Sequence, residues 1–201
     1  MHHYSLTDIA QAAAALIVEE GMEFGPAKKR AAKQLGLRTN TALPDNVLVE
    51  EAVREYIALF KAEEQPQELY ALRCIAHNWM LRLQEFAPLL GGAVWNGTAT
   101  RFSNIHLQLF CDDIKALPIW LLNQGLHFET EETSGISGLS TEVLILEEPT
   151  PEPCLDSTVL ICLWNNASTA QRGALQPGPD GRALRGPLSA LESLMAECAA
   201  P

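Results

Sequence analysis

The sequence is short of basic residues, of paired cysteines and of long apolar runs, and each shortage argues against a class of protein. Lys and Arg number 14 against 25 Asp and Glu, and the net charge of −11 disfavours generic nucleic-acid binding because a phosphate backbone is repelled. No apolar run approaches the roughly 18 residues of a membrane-spanning helix, and no basic segment precedes the apolar stretch near the N-terminus. We therefore expect a cytoplasmic protein. The five cysteines form no C-x-x-C pair, which argues against a zinc site or a disulfide framework.

What is present is typical of a globular chain. Of the 201 residues, 47% are hydrophobic and 19% are charged, which excludes a fully disordered protein. A chain of this length buries a core without metal or disulfide crosslinks. Length alone allows one medium domain, or one small domain with a helical appendage.

The first 86 residues have the apolar spacing and the capping residues of helices. Thr7 and Asp8 are expected to cap the first helix, and Pro26 suits the first turn of the second. The polar segment around Pro66 predicts a boundary near residue 65, between a helical N-terminal region (1–65) and a second domain (66–201). The predicted helices are Ile9–Glu20, Ala27–Leu35, Asp45–Lys61 and Gln67–Phe86.

After residue 88 the apolar pattern changes. Residues Ile105–Phe110 alternate along the chain, which is typical of a strand with one buried face. The stretches Asp112–Gln124 and Leu188–Cys198 have helical spacing. This order predicts an α+β fold with a small mixed sheet and flanking helices. The predicted strands are residues 91–96, 104–110, 142–147 and 158–164.

The segment LGGAVWNGTATRFSNIHLQLFCDD, residues 90–113, resembles the signature of the polymerase-β-type nucleotidyltransferases. Gly92 and Gly97 match the two glycines of that signature, and Ser103 matches the residue before its carboxylate strand. In the family, the glycine turn brings backbone amides to a triphosphate, and two carboxylates two residues apart on a strand hold magnesium ions. The resemblance implies a mixed sheet of this type in a small bacterial protein, with turn and strand facing one cavity.

Three positions depart from the signature. Ala93 replaces the serine of the glycine turn, and Asn104 and His106 replace the two carboxylates. Asparagine is a weak magnesium ligand and histidine prefers softer metals. The resemblance also implies a third carboxylate on a later strand, for which Glu142 is the first choice and Glu147 the second. We therefore expect a catalytically degenerate protein without a cofactor, with magnesium needed only if it is active.

The degenerate cleft is expected to act as a binding site. Replacement of two carboxylates by neutral groups removes the charges that repel an anion, so the predicted ligand is a small anion or a nucleotide. An arginine from the Gly-rich loop between residues 172 and 185 suits such a ligand. The predicted ligand-binding residues are Gly92, Asn96, Gly97, Ser103, His106 and Arg172.

Two other functions remain open at this point. An active magnesium-dependent nucleotidyltransferase would use the altered ligands Asn104, His106 and Glu142. A nucleic-acid-binding regulator would use the basic face around Lys28–Lys33, although the net charge disfavours it. A protein partner, or a homodimer formed through the first two helices, is also open, and a membrane is not expected.

Overall fold

The computed structural model describes residues 4–38, 40–136, 138 and 140–198. It has an α+β architecture, as predicted: helices come first, and a mixed sheet with flanking helices follows. The helices are α1 Leu6–Glu20, α2 Phe24–Gln34, α3 Asn46–Phe60, α4 Gln65–Arg82, α5 Gly92–Asn96, α6 Ala116–Asn123, α7 Gln171–Ala174 and α8 Leu188–Cys198. The strands are β1 Leu89–Gly91, β2 Ile105–Cys111, β3 Glu129–Ser134, β4 Ser140–Pro149, β5 Thr158–Ala167 and β6 Arg185–Gly186.

Helices α1, α2 and α3 form a three-helix unit with an apolar cluster of its own, confined to residues 9–57. Helix α1 begins at Leu6, three residues before the predicted start, because its N-cap Ser5 forms a capping box with Asp8. Val53 and Ile57 of α3 are buried as predicted, whereas Phe60 is 65% exposed. The apolar sides of the first two helices are thus covered within the chain.

The second apolar cluster lies between α4, α6, α8 and one face of the sheet, and we call this part the α+β unit. Its sheet has the order β3-β4-β5-β2-β1-β6, in which β2 and β5 are parallel and the other pairs are antiparallel. Ile105, Leu107 and Leu109 of β2 are fully buried in this cluster, which confirms the predicted alternation. Trp79 of α4 is 2% exposed and packs there too.

The predicted strand over residues 91–96 is wrong beyond residue 91. Gly92 has a φ of +67°, which turns the chain out of β1 and into the short helix α5. The N–H of Gly97 donates to the carbonyl of Ala93 at 3.0 Å and closes that helix. An apolar run of this length did not distinguish a strand from a buried helical turn.

Other element boundaries differ for local reasons. The helix predicted from Asp112 begins at Ala116, because the Asp113 side chain accepts the N–H of Lys115 and holds a turn there. Strand β3 was not predicted, since all its side chains are exposed and it has no apolar alternation. It is an edge strand, paired with β4 alone.

Candidate functional site

A cleft of about 640 Å³ lies between the three-helix unit and one face of the sheet. Its floor is β2 together with Asn104, the residue before it, and Asn104, His106 and Gln108 lie on the face opposite to the buried leucines. One wall is the turn at Gly92, and the other is the α1–α2 turn together with α3. The rim is formed by residues 180–185.

The glycine turn and His106 are in direct contact. A Cβ atom added to Gly92 would lie 3.3 Å from His106 Cδ2, and the φ of +67° disfavours any other residue. The first glycine of the predicted motif therefore packs against the residue at its second predicted carboxylate position.

Helix α5 and the loop that joins it to β2 are held by buried polar side chains of α4. Arg73, 5% exposed, donates from Nε to the carbonyl of Val94 at 3.2 Å. Gln65, 6% exposed, donates to the carbonyls of Gly97 at 3.1 Å and Ala99 at 2.8 Å. Because these carbonyls have little access to water, their bonds to α4 fix the wall of the cleft.

A tryptophan fixes the rim. Trp95 of α5 donates from Nε1 to the carbonyl of Ala183 at 2.8 Å, and its ring packs against Gly186 so closely that a Cβ there would overlap it. This contact holds β6, and with it Arg185, at the mouth of the cleft. Arg172 lies on α7 and does not line the cleft.

His106 has a distinct set of partners. Its side chain is 22% exposed, and its Nε2 lies 3.6 Å from Oε1 of Glu23 in the α1–α2 turn. Strand pairing places Cys162 of β5 beside it on the same face. Burial opposes protonation of the ring, whereas the contacts with Cys162 and Glu23 favour it and raise the pKa of His106 to about 9. The contact with the His106 ring lowers the pKa of Glu23.

The indole of Trp164 opposes protonation of the His106 ring. Its Nε1–H donates to Nδ1 of His106 at 3.2 Å, and this bond requires a lone pair on Nδ1. A neutral ring therefore carries its proton on Nε2, toward Glu23. The pKa of His106 is nevertheless raised, because the attraction of the Glu23 carboxylate for the charged ring outweighs this neutral hydrogen bond.

These contacts predict how His106 titrates. Its imidazole resonances should have a midpoint near pH 9 in NMR, assigned by their loss in His106→Ala. Glu23→Gln should lower that midpoint, and Trp164→Phe should raise it because the competing donor is gone. The His106–Glu23 pair should stabilise the fold fully below pH 6.5 and lose that contribution as the pH rises through about 9. A midpoint near 6.5 that neither substitution moves would contradict the assignment of both contacts.

Positively and negatively charged side chains both line the cleft. Arg54 of α3 bonds Glu50 at 2.7 Å and the carbonyl of Asn96 at 2.7 Å. Arg182 lies 3.9 Å from Glu50. Arg185 donates one N–H to the carbonyl of Ala174 at 3.0 Å and has no carboxylate partner among the described residues. The charged groups of the lining other than His106 are Glu23, Glu50, Arg54, Asp180, Arg182 and Arg185.

Most, but not all, of the predicted site residues meet here. Those that line the cleft are Gly92, Asn96, Ser103, Asn104 and His106. Gly97 lies behind the wall, where its carbonyl accepts from Gln65. Glu142 pairs with Asn165, which pairs with Leu109, so Glu142 lies on the opposite face of the sheet from His106. Glu147 is on the face of His106 but exposed, with β5 between β4 and β2.

The donor set does not fit magnesium. The two motif positions hold the amide of Asn104 and the imidazole of His106, and the sheet places the thiol of Cys162 beside His106. Magnesium prefers carboxylate, phosphate and water oxygens. Within the described ranges, no group of three or more His, Cys, Asp or Glu residues is placed to hold a metal ion.

A larger groove of about 940 Å³ lies between the start of α4 and residues 152–154. Pro66, Tyr70, Cys74 and Pro153 give it a largely apolar lining, and it contains none of the predicted site residues. We place the candidate site in the smaller cleft, because titratable and charged groups converge there.

Sequence reasoning missed Glu23, Arg54, Trp164 and Cys162. The first two come from the three-helix unit, and no sequence pattern links them to β2. Trp164 and Cys162 are alternate residues of a predicted strand, but their place beside His106 depends on the parallel pairing of β2 with β5.

No family model, no curated protein and no solved structure matches this chain. Over the residues that the structure describes, no helix combines the length and the apolar character needed to cross a membrane. The resemblance to nucleotidyltransferases therefore depends on the motif residues alone and stays a prediction.

Proposed function

We propose that this protein is a nucleotidyltransferase-like protein without transfer activity, whose cleft binds a small oxyanion such as phosphate or the phosphate group of a nucleotide. The observation that carries the proposal is that Asn104 and His106 lie on the floor of the cleft. The motif resemblance assigns two carboxylates to these positions. With them replaced, the floor presents a neutral amide and an imidazole that holds a positive charge at neutral pH.

Further donors support an anion. Gln108 is 7% exposed, and its Oε1 accepts from Asn166 Nδ2 at 2.9 Å. That bond leaves the Gln108 Nε2 hydrogens for the cleft, since no acceptor for them is found among the residues described. Arg185 adds guanidinium N–H groups at the rim. Amide and guanidinium donors that face one cleft suit the several acceptor oxygens of phosphate.

Phosphate titration by calorimetry tests the proposal. We expect saturable binding by the native protein, with about tenfold weaker affinity in His106→Ala and in Arg185→Met, because each loses a charged hydrogen-bond partner. Binding should persist from pH 6 to pH 8 and weaken as the pH rises past about 9, where His106 loses its proton.

Arg172→Met is the matched control for Arg185→Met, since it removes the same charge outside the cleft and should leave the affinity unchanged. Absence of phosphate binding by the native protein, or equal losses in both arginine variants, would contradict the proposed site.

Nucleotidyl transfer should be undetectable. Purified protein with magnesium and each of the four common labelled nucleoside triphosphates should transfer no label, because the donor set at Asn104 and His106 does not fit magnesium. Transfer that disappears in His106→Ala would show instead that the altered site is catalytic.

A further inference from the structure

We infer that the three-helix unit regulates the cleft through Glu23, whose carboxylate acts as an internal competitor that an incoming oxyanion must displace from His106. The inference rests on the proposed function and adds regulation to it.

The first support is the position of the Glu23 side chain. Glu23 is the N-cap residue of α2, where a side chain usually accepts a backbone N–H, but its carboxylate makes no capping hydrogen bond. Instead Oε1 lies 3.6 Å from His106 Nε2, inside the cleft lining. The carboxylate therefore occupies the side of the ring from which a phosphate oxygen would approach.

The second support is the way the α1–α2 turn is seated. Gly21 has a φ of +66°, and a Cβ atom there would lie 2.7 Å from Phe102 Cβ and 2.9 Å from the Phe102 carbonyl oxygen. Close backbone approach thus sets the turn directly against the α+β unit, two residues before Glu23. This packed contact between the two units therefore positions the Glu23 carboxylate beside His106.

A second ion pair has the same arrangement as the Glu23–His106 pair. Glu50 of α3 lies 3.9 Å from Arg182 of the rim. Each of these two pairs joins a carboxylate of the three-helix unit to a basic group of the α+β unit, and all four residues line the cleft. An oxyanion that binds the same basic groups is repelled by the two carboxylates. Its binding therefore requires these ion pairs to separate.

The test is phosphate calorimetry at pH 6 on the native protein, Glu23→Gln and the control Glu51→Gln. At this pH His106 stays largely protonated even if the loss of Glu23 returns its pKa to the ordinary 6.5. Glu51 is exposed on α3, outside the cleft lining, and its substitution changes the net charge by the same amount. We expect Glu23→Gln to bind phosphate about three- to tenfold more tightly than the other two proteins. The gain is modest because Glu23 is 64% exposed and its charge is screened.

Glu23→Asp retracts the carboxylate by one methylene but keeps its charge, and its affinity should lie between those of the native protein and Glu23→Gln. Equal or weaker binding by Glu23→Gln, with the native protein still binding phosphate, overturns the competitor role and leaves the proposed function standing. Absence of phosphate binding in all four proteins overturns the proposed function as well.

Discussion

Gly21→Ala is expected to lower the free energy of unfolding by about 3 kcal/mol, as measured by chemical denaturation. Two effects add. The φ of +66° costs a residue with a Cβ about 1–2 kcal/mol, and the clash with the backbone of Phe102 costs about 1–3 kcal/mol more because a carbonyl cannot rotate away. The second effect arises only where the three-helix unit meets the α+β unit.

Gly36→Ala is the matched control. Gly36 follows α2 with a φ of +72°, but nothing lies within 4 Å of its added Cβ. Its substitution should therefore cost only the conformational part, about 1–2 kcal/mol. The difference between the two variants measures the contact between the units. Equal losses would show that the α1–α2 turn does not pack on Phe102 in solution.

Arg73→Met should be equally damaging, with a loss of about 2–4 kcal/mol. Arg73 is 5% exposed and donates to the carbonyls of Val94 at 3.2 Å and Trp95 at 3.4 Å. Methionine fills similar space but leaves buried acceptors without these donors, each at a cost of about 1–3 kcal/mol. Phosphate affinity should fall as well, since these carbonyls belong to the helix that follows the Gly92 turn.

Arg82→Met serves as its control on the same helix. Arg82 is exposed and lies over the Trp79 ring, with 4.1 Å between its Cζ and the ring centroid. Loss of that contact should cost about 0.5–1 kcal/mol and leave phosphate affinity unchanged. If Arg73→Met were no worse than Arg82→Met, the buried hydrogen bonds would not be what holds the loop.

Much of the fold could be read from local signals. The alternation over Ile105–Phe110 located β2 to within one residue, and α8 has the predicted bounds Leu188–Cys198. Both signals reflect burial of one face along a regular backbone. The strand expected over residues 91–96 is wrong beyond residue 91, because so short an apolar run has no periodicity to measure and the turn that ends the strand depends on the φ of Gly92.

Of the candidate site, the sequence by itself determined the residues that share the local motif: Gly92, Asn104 and His106 line one cleft because a turn and an alternating strand place them together. Only the tertiary structure decided what surrounds them. Glu142 lies on the far face of the sheet because strand pairing, set by residues far along the chain, fixes which side each residue faces. Glu23 reaches His106 because the α1–α2 turn packs on Phe102 at Gly21, and such docking between distant segments leaves no periodic pattern in the sequence.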